Sequence, residues 1–159
     1  MNRKRLLYKW LWPFEKLIIL AVAVSVVLIF VFSFHICNGS SMYPTISDGD
    51  MCLFYRQDTP KRGDIISYKT SSGIKIGRAV GIAGDRVSID HEKLYVNGYE
   101  QESFYTVPGN VAEHIVKPNE VFVVNDYRLD ASDSRKYGDI SLKNVEGVYF
   151  ASLRTGGTS

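Results

Sequence analysis

The apolar positions of this chain fall into two regions with different patterns. Residues 17–34 form one continuous apolar run without a charged side chain, and as an α-helix the run would extend roughly 27 Å, close to the thickness of a bilayer core. After residue 37, short apolar stretches alternate with turn-forming residues. The pattern predicts a cytoplasmic basic arm over residues 1–16, a transmembrane signal anchor over residues 17–36 and an extracytoplasmic β domain over residues 37–159.

A cleavable signal peptide is the rival interpretation of the apolar run. The apolar part of such a peptide is usually only about 7–15 residues long and is followed by a small-x-small cleavage site. Phe34, His35 and Ile36 offer no such site, and Ile36 directly before Cys37 is unlike a lipoprotein signal. We therefore expect the segment to stay attached as a single-pass membrane anchor.

The charges are distributed unevenly between the arm and the domain. Five basic residues and one acidic residue precede the apolar run, which gives the arm a net charge of +4, whereas the remaining 14 basic and 16 acidic residues sum to −2. Positive charge before a membrane helix favours a cytoplasmic N-terminus, which places the domain on the extracytoplasmic face of the cell membrane. Nucleic acid is excluded as a partner because the folded domain carries no basic excess.

The region after the apolar run has the pattern of a β protein. β-rich stretches bounded by Pro, Gly, Asn and Asp predict strands at residues 51–55, 65–68, 74–82, 86–89, 93–96, 120–124 and 147–151. Asn97 and Gly98 predict a tight turn, and residues 125–138 form a polar, charged loop. We find no helix of useful length outside the membrane and no internal repeat. The predicted class is mainly β: an N-terminal transmembrane helix followed by an antiparallel, partly closed, β-barrel-like domain.

The cysteines and histidines indicate neither a disulfide framework nor a metal site. Cys37 and Cys52 are too few for such a framework, and we prefer two free, small apolar side chains to the alternative, a bridge between them. His35, His91 and His114 lack the spacing of zinc ligands. No glycine-rich phosphate loop opens a helix, so we expect no metal and no other cofactor.

A serine motif lies directly beyond the apolar run, and further motifs follow it in order. They are Gly39-Ser40-Ser41-Met42-Tyr43-Pro44-Thr45, Gly49-Asp50, Arg62-Gly63-Asp64-Ile65, Arg78-Ala79-Val80-Gly81-Ile82, Gly84-Asp85-Arg86-Val87, Leu94-Tyr95-Val96-Asn97-Gly98, Asn125-Asp126-Tyr127-Arg128, Asp133-Ser134-Arg135 and Gly138. This set, which covers nearly the whole chain, resembles bacterial type I signal peptidases, the membrane-anchored serine proteases that remove signal peptides from exported proteins.

The resemblance implies a serine nucleophile and a lysine base. A serine hydroxyl must pass its proton to a neighbour, and a lysine accepts that proton only where burial keeps its amine uncharged. By analogy Ser41 is the nucleophile, and its N–H with the Gly39–Ser40 turn faces the oxyanion. The substrate-binding positions are Met42, Tyr43 and Pro44, beside pockets for a small-x-small peptide end. The loop that supports the site contains Asp126, Arg128, Ala131, Asp133, Ser134 and Arg135, with an expected ion pair between Asp133 and Arg135.

The chain departs from the family pattern at the base. The position of the family lysine is Gly77, which offers no proton acceptor and is expected to leave a void. The position of the serine that supports the lysine is Ala131, so the polar pair is lost as a unit. The usual proline of one motif is Ala83, and the usual glycine before Asp126 is Asn125. Restoring the pair with Gly77→Lys and Ala131→Ser is expected to restore some hydrolysis.

Lys75 is a candidate substitute base. It precedes Gly77 by two residues, so in a strand both point to the same face, and a lysine side chain spans roughly the 6.6 Å between them. An exposed lysine amine, however, is almost wholly protonated at pH 7. The alternative interpretation of Lys75 is a solvated surface residue, and Lys69 is a weaker candidate.

Two functions follow from the resemblance. A member without proteolysis would bind extended peptide segments of exported proteins or pilins, and sortase, at the membrane surface, as accessory proteins of sortase-assembled pili do. The alternative is an active, atypical signal peptidase with Ser41 as nucleophile. We prefer the first, since loss of a general base typically removes about 10²–10⁴ in rate. An unrelated anchored β protein is disfavoured by the number of matching motifs.

Overall fold

A computed structural model describes residues 3–103 and 105–154, with side chains from residue 14 onward. Residues 1 and 2 of the predicted arm, and residues 155–159 of the predicted domain, lie outside the described residues. Helices and strands are numbered in chain order. Their bounds are α1 Arg3–Val31, β1 Phe32–Ile36, β2 Met51–Tyr55, β3 Ile65–Thr70, β4 Gly73–Ile82, β5 Arg86–Asp90, β6 Lys93–Val96, β7 Tyr99–Glu100, β8 Val111–Ile115, β9 Glu120–Val124, α2 Ser134–Tyr137, β10 Ile140–Ser141, a 3₁₀ turn Leu142–Asn144 and β11 Val145–Leu153.

Helix α1 contains residues 17–31 of the predicted membrane segment. Its part Phe14–Val31 has a mean hydropathy of 2.6 and is long and apolar enough to cross a membrane, by length and composition. The side chains of this part do not pack into the domain. The helix begins within the predicted arm, at Arg3, so the arm and the apolar run are one continuous helix.

The helix ends earlier than the apolar pattern indicates, because Phe32–Ile36 form strand β1 rather than its last turns. Ser33 is buried while Phe34 and Ile36 are exposed, which is the period-2 alternation of a strand. β1 pairs antiparallel with β2. The N–H of Arg56 donates to the last carbonyl of the helix, that of Val31, at 2.9 Å. The helix end is therefore tied to the domain, with no linker between them.

The domain consists of two antiparallel sheets, and the barrel is not closed. One sheet has the strand order β1-β2-β11-β3-β4-β9-β10 and the other has the order β7-β6-β5-β8. The predicted bounds of β2, β6 and β9 match the structure. Strands β3, β4 and β5 differ from their predicted bounds by one or two residues at one end, and β11 is longer than predicted by two residues at each end. Positive φ angles of 55° at Asn97 and 82° at Gly98 confirm the tight turn between β6 and β7. The sequence reading missed β1, β7, β8 and β10.

Three clusters of buried side chains form the core. One lies against the smaller sheet, and its members include Val87, Ile89, Leu94, Val116 and Phe122. Another lies on one face of the larger sheet, with Ile66, Tyr68, Ala79, Val121 and Val123 among its members. The third packs under the serine motif and contains Cys37, Met42, Ile46, Cys52, Phe54 and Ile65.

The outward face of β1, β2 and β11 is apolar and open to solvent in the domain. Along this face Ile36 lies opposite Met51, and Met51 lies opposite Leu153. Ile36, Phe34 and Leu153 are each more than half exposed. Because β1 continues directly from α1, this face extends the apolar surface of the helix, and the loop that carries Ser41 follows at the end of β1.

Cys37 and Cys52 form a disulfide, so the expectation of two free thiols is wrong. The pairing of His35 with Cys52 brings the end of β1 next to the start of β2, and the two cysteine Cα atoms lie 6.6 Å apart. Spacing along the chain could not show this, because it depends on the strand register. The bridge closes the loop that carries Ser41.

Removal of the disulfide is expected to lower stability by about 2–4 kcal/mol, because it closes a loop with a sequence separation of 15. The measurement is denaturant unfolding of the full chain in detergent, with Cys37→Ala/Cys52→Ala compared with the parent. A reductant should shift the parent midpoint to that of the variant and leave the variant unchanged. Unmodified parent chains that react with a thiol reagent before reduction would contradict the bridge.

A histidine–carboxylate pair joins the two sheets. His114 on β8 lies with its Nε2 3.1 Å from Asp139, which precedes β10. Burial lowers the pKa of His114, but the hydrogen bonds with Asp139 and the Ala112 carbonyl, together with the charges of Asp139 and Glu120, outweigh burial and raise the pKa above its ordinary value. The folded protein therefore holds the proton more tightly than the unfolded chain does.

The His114 pair is expected to make stability depend on pH. A raised folded-state pKa gives stability that is fully present below the unfolded pKa of about 6.5 and is lost as the pH rises through the folded pKa. In His114→Gln the thermal midpoint should fall less between about pH 6 and pH 8 than in the parent. His91→Gln, which removes an exposed histidine from the turn between β5 and β6, controls for the loss of a histidine outside this pair. An unchanged profile in His114→Gln would contradict this assignment.

Candidate functional site

The Ser41 loop is held at both ends and leaves the serine half-exposed between them. Gly39 has a φ angle of 88°, a conformation that glycine adopts without strain, and its N–H donates to Asp48 Oδ1 at 2.6 Å. On the other side, Met42 and Ile46 are almost fully buried in the core, and the N–H of Ile46 donates to the Met42 carbonyl at 2.9 Å. Buried anchors thus position the serine without contacting its hydroxyl.

An ion pair joins this loop to the polar loop after β9. Arg78 on β4 donates to both carboxylate oxygens of Asp126, with distances of 2.7 and 2.6 Å. The Thr45 hydroxyl donates to the same carboxylate at 2.6 Å. The N–H of Tyr127 donates to the Ser41 carbonyl at 2.9 Å. The hydrogen bond with Asp126 raises the pKa of Arg78, so the guanidinium stays charged and the connection persists.

A second, buried ion pair shapes the polar loop itself. The predicted pair of Asp133 and Arg135 is present, with Nε–Oδ1 and Nη2–Oδ2 distances of 2.9 and 2.6 Å and almost no exposure of either side chain. Arg135 also donates to the backbone carbonyls of Arg128 and Asp130 at 2.7 Å each. Ser134 lies beside the pair, and its hydroxyl accepts from Val123 N–H at 2.9 Å. The charge is therefore spread over several acceptors in one rigid turn.

The serine loop forms one side of a groove with a cavity volume of about 600 Å³. One wall comes from β1 and the residues after it, and the other comes from the turn and first residues of β4. The lining residues are Phe34, His35, Ile36, Cys37, Asn38, Gly39, Ser40, Ser41, Met42, Ile46, Ser72, Ile74, Lys75, Ile76 and Asp130. The groove contains extended backbone on two sides and both apolar and polar side chains, a shape that accommodates an extended peptide.

The structure brings some of the predicted site residues together and separates others. Gly39, Ser40, Ser41, Met42 and Lys75 line the groove. Among the described residues, however, no hydrogen bond joins the Ser41 hydroxyl to Lys75 or to another amine. Met42 is an anchor as well as a lining residue, because it is almost fully buried in the core.

The remaining predicted site residues lie outside the groove. Tyr43 and Pro44 are exposed beside it and do not line it. Ala131 is exposed, and Gly77 is buried without lining the groove. Arg128 is nearly buried, and its Nη1 has no hydrogen-bond partner among the described residues.

No void lies beside Gly77, so the expectation of an empty space at this position is wrong. A Cβ built on Gly77 would lie 2.5 Å from Val123 Cγ1 and 3.5 Å from both Asn125 Oδ1 and Tyr68 Cε1. Neighbouring side chains already fill the volume that a side chain at position 77 would take. Burial is the largest cause that raises the pKa of Tyr68, so its phenol remains neutral and offers no substitute base.

Sequence reasoning missed four contributors to the site: Thr45, Arg78, Asn125 and Asp130. Thr45 and Arg78 lie inside matched motifs, but only the fold shows that both contact Asp126. Asn125 was noticed as a departure without a role. In the described ranges, 3–103 and 105–154, no cluster of His, Cys, Asp or Glu side chains is arranged to hold a metal ion.

Fold and site together define a class of protein: a mainly antiparallel β domain on a membrane-length helix, with a serine-bearing groove next to the strand that follows the helix. Comparison with known proteins adds the family. A family model described as signal peptidase, peptidase S26, matches residues 10–153.

Two relatives agree with this match. The chain is 32% identical over 159 residues to a signal peptidase I of Bacillus amyloliquefaciens, covering 86% of this chain and 82% of the relative. It is 32% identical over 156 residues to signal peptidase I V of Bacillus subtilis, covering 81% and 93%. A crystal structure of a signal peptidase I from Enterococcus faecalis V583 is similar with a TM-score of 0.49, 23% identity and coverage of 57% of this chain and 97% of that one. This chain belongs to the signal peptidase, peptidase S26, family.

A side chain at position 77 is expected to destabilise the fold. Gly77→Ala should lose about 1–3 kcal/mol in denaturant unfolding, because its methyl group meets Val123 in a filled core. A double-mutant cycle with Val123→Ala isolates the contact. Val123→Ala should destabilise the parent and stabilise the Gly77→Ala variant. Additive effects in the cycle would mean that the two side chains do not compete for the same space.

Proposed function

We propose that this chain is a signal peptidase I-like protein that binds extended peptide segments of exported proteins and does not cleave them at the rate of a working serine protease. The environment of Ser41 supports the proposal most directly. Ser41 lies in a preformed groove, and among the described residues its hydroxyl has no hydrogen bond to an amine. Gly77, at the position where the family resemblance implies a lysine, is packed against Val123 instead.

The geometry favours peptide binding through strand addition. β1 is the end strand of the larger sheet and pairs on one side with β2, so its other edge can accept an extended peptide. This edge and the start of β4 form the two walls of the groove. The Ser41 loop is already fixed by Asp126 and by the buried anchors, so binding would require little further ordering. The apolar helix suggests anchoring in the membrane, where exported precursors emerge.

The finer part of the proposal concerns partners. We propose that the bound segments belong to pilins or to sortase, and that the chain assists pilus assembly at the extracytoplasmic membrane face. The support is the combination of a groove, which a partner-binding role requires, with a glycine at position 77, which gives proteolysis no base there. In cells that depend on this chain for pilus assembly, Ser41→Ala should leave the ladder of polymerised pilin unchanged, and loss of that ladder would contradict the proposal.

A second candidate function is proteolysis with Lys75 as the base, and one observation favours it: Lys75 lines the same groove as Ser41. In this reaction the Ser41 proton would pass to an uncharged Lys75 amine as Oγ bonds to the substrate carbonyl carbon. The proton would then pass to the leaving nitrogen as the C–N bond breaks, and water would hydrolyse the ester. The step needs Lys75 both uncharged and close to the hydroxyl.

Peptide binding without cleavage is the expected behaviour of the purified full chain in detergent. A labelled peptide that contains Ala-x-Ala should bind, as measured by fluorescence anisotropy, and mass spectrometry should find it intact. Ile74→Asp, which changes a groove wall, should weaken binding at least about tenfold, equivalent to about 1.4 kcal/mol, because it places a charge in the groove. Tyr99→Asp, at an exposed position on the other sheet, is the matched control and should bind like the parent.

Two results would overturn this proposal in different ways. Cleavage at a normal pace that disappears in both Ser41→Ala and Lys75→Ala would establish the second candidate function. Absence of peptide binding by the folded parent would leave the groove without its proposed ligand.

A further inference from the structure

The side-chain amide of Asn125 contacts both position 77 and the wall of the Ser41 groove. Asn125 is 1% exposed, and its Oδ1 lies 3.5 Å from the point where a Cβ on Gly77 would be. Its Nδ2 donates to the Asp130 carbonyl at 3.0 Å, and Asp130 lines the groove together with Ser41. Val123 and Tyr68 also border position 77, and of these three neighbours Asn125 is the one whose side chain is hydrogen-bonded to a residue of the groove wall.

The orientation of this amide is set by its partners. The Asp130 carbonyl accepts from the Asn125 NH₂ group as well as from Arg135, and the amide oxygen of Asn125 therefore faces position 77. The backbone N–H of Asn125 donates to Asp133 Oδ2 at 2.9 Å, and Asp133 is fixed by its buried pair with Arg135. The backbone and the side chain of Asn125 are thus each held by a hydrogen bond.

We propose that Asn125 is a positioning residue that closes the passage from position 77 to Ser41 and fixes the Asp130 wall of the groove in its place. The inference rests on the proposed function, that of a peptide-binding site without a lysine base. A lysine introduced at position 77 would meet the Asn125 amide before its amine reached the serine. The amide oxygen would also accept a hydrogen bond from that amine in its charged form, which favours the state that cannot act as a base.

The proposed role of Asn125 changes the expectation that Gly77→Lys and Ala131→Ser together restore hydrolysis. The pair Gly77→Lys and Ala131→Ser restores the chemical groups but leaves the passage closed. Adding Asn125→Gly removes the amide and opens the passage. Val123 must move in every variant that carries a side chain at position 77. Its displacement is therefore common to all of these variants and does not contribute to the difference between their cleavage rates.

The test compares three full-length variants in detergent, each incubated with the Ala-x-Ala peptide. They are the double variant Gly77→Lys/Ala131→Ser, the double variant with Asn125→Gly, and the double variant with Asn119→Gly. Asn119 is exposed in the turn before β9 with a φ angle of 64°, where glycine is tolerated, so it controls for the same chemical change away from the site.

The variant with Asn125→Gly is expected to cleave about 100-fold faster than the other two, the lower range of general-base assistance. That cleavage should require Ser41. Equal rates in all three folded variants, including no cleavage in any, would overturn the inference while leaving the proposed function in place. Cleavage by the unmodified chain would instead overturn the proposed function.

If the variants that carry Gly77→Lys and Ala131→Ser do not fold, a peptide-binding measurement tests the role of Asn125 instead. Asn125→Ala keeps the backbone hydrogen bond to Asp133 and leaves Arg135 as the remaining side-chain donor to the Asp130 carbonyl, so the fold should survive with a less firmly held groove wall. The Ala-x-Ala peptide should bind about tenfold more weakly to this variant than to the parent or to Asn119→Ala. Unchanged affinity in a folded Asn125→Ala variant would overturn the inference.

Discussion

The contact between Arg78 and Asp126 connects the three segments on which the site depends. Arg78 comes from a central strand, Asp126 begins the polar loop, and Thr45 in the serine loop donates to the same carboxylate. The ion pair is bidentate and largely shielded from water. Such a pair is strong, and it fixes the relative orientation of the two side chains as well as the distance between them. The position of Ser41 is therefore set by this connection and by the core beneath it, and no residue at position 77 is needed for it.

Peptide binding and proton transfer consequently have separate physical requirements in this fold. Binding needs a groove with fixed walls, which the disulfide, the buried Met42 and Ile46 anchors and the polar loop supply together. Proton transfer needs an uncharged amine within hydrogen-bond reach of the serine. The first requirement can be kept when the second is lost, because different residues meet them. On the proposal made above, signal peptidase architecture supports recognition without hydrolysis.

Local features could be predicted well from the sequence. Features that depend on the pairing of strands could not. Strands β2, β6 and β9 matched because each is a short apolar run bounded by turn residues. The end of α1 was placed too late because β1 is as apolar as the helix, and only its pairing with β2 distinguishes the two. The Cys37–Cys52 bridge depends on that same register. Ser41 and the glycine at position 77 could be read from the motifs, but the filled space at Gly77 depends on where Val123 packs.

The reactivity of the Ser41 hydroxyl is the most direct measure of whether a proton acceptor is present. The full chain in detergent can be incubated with an Ala-x-Ala peptide that carries a C-terminal activated ester, and acylated residues can be located by mass spectrometry. The neighbouring Ser40 lines the same groove and serves as an internal reference. We expect Ser41 to acylate no faster than Ser40. Rapid, stoichiometric acylation of Ser41 that is lost in Lys75→Ala would contradict the account.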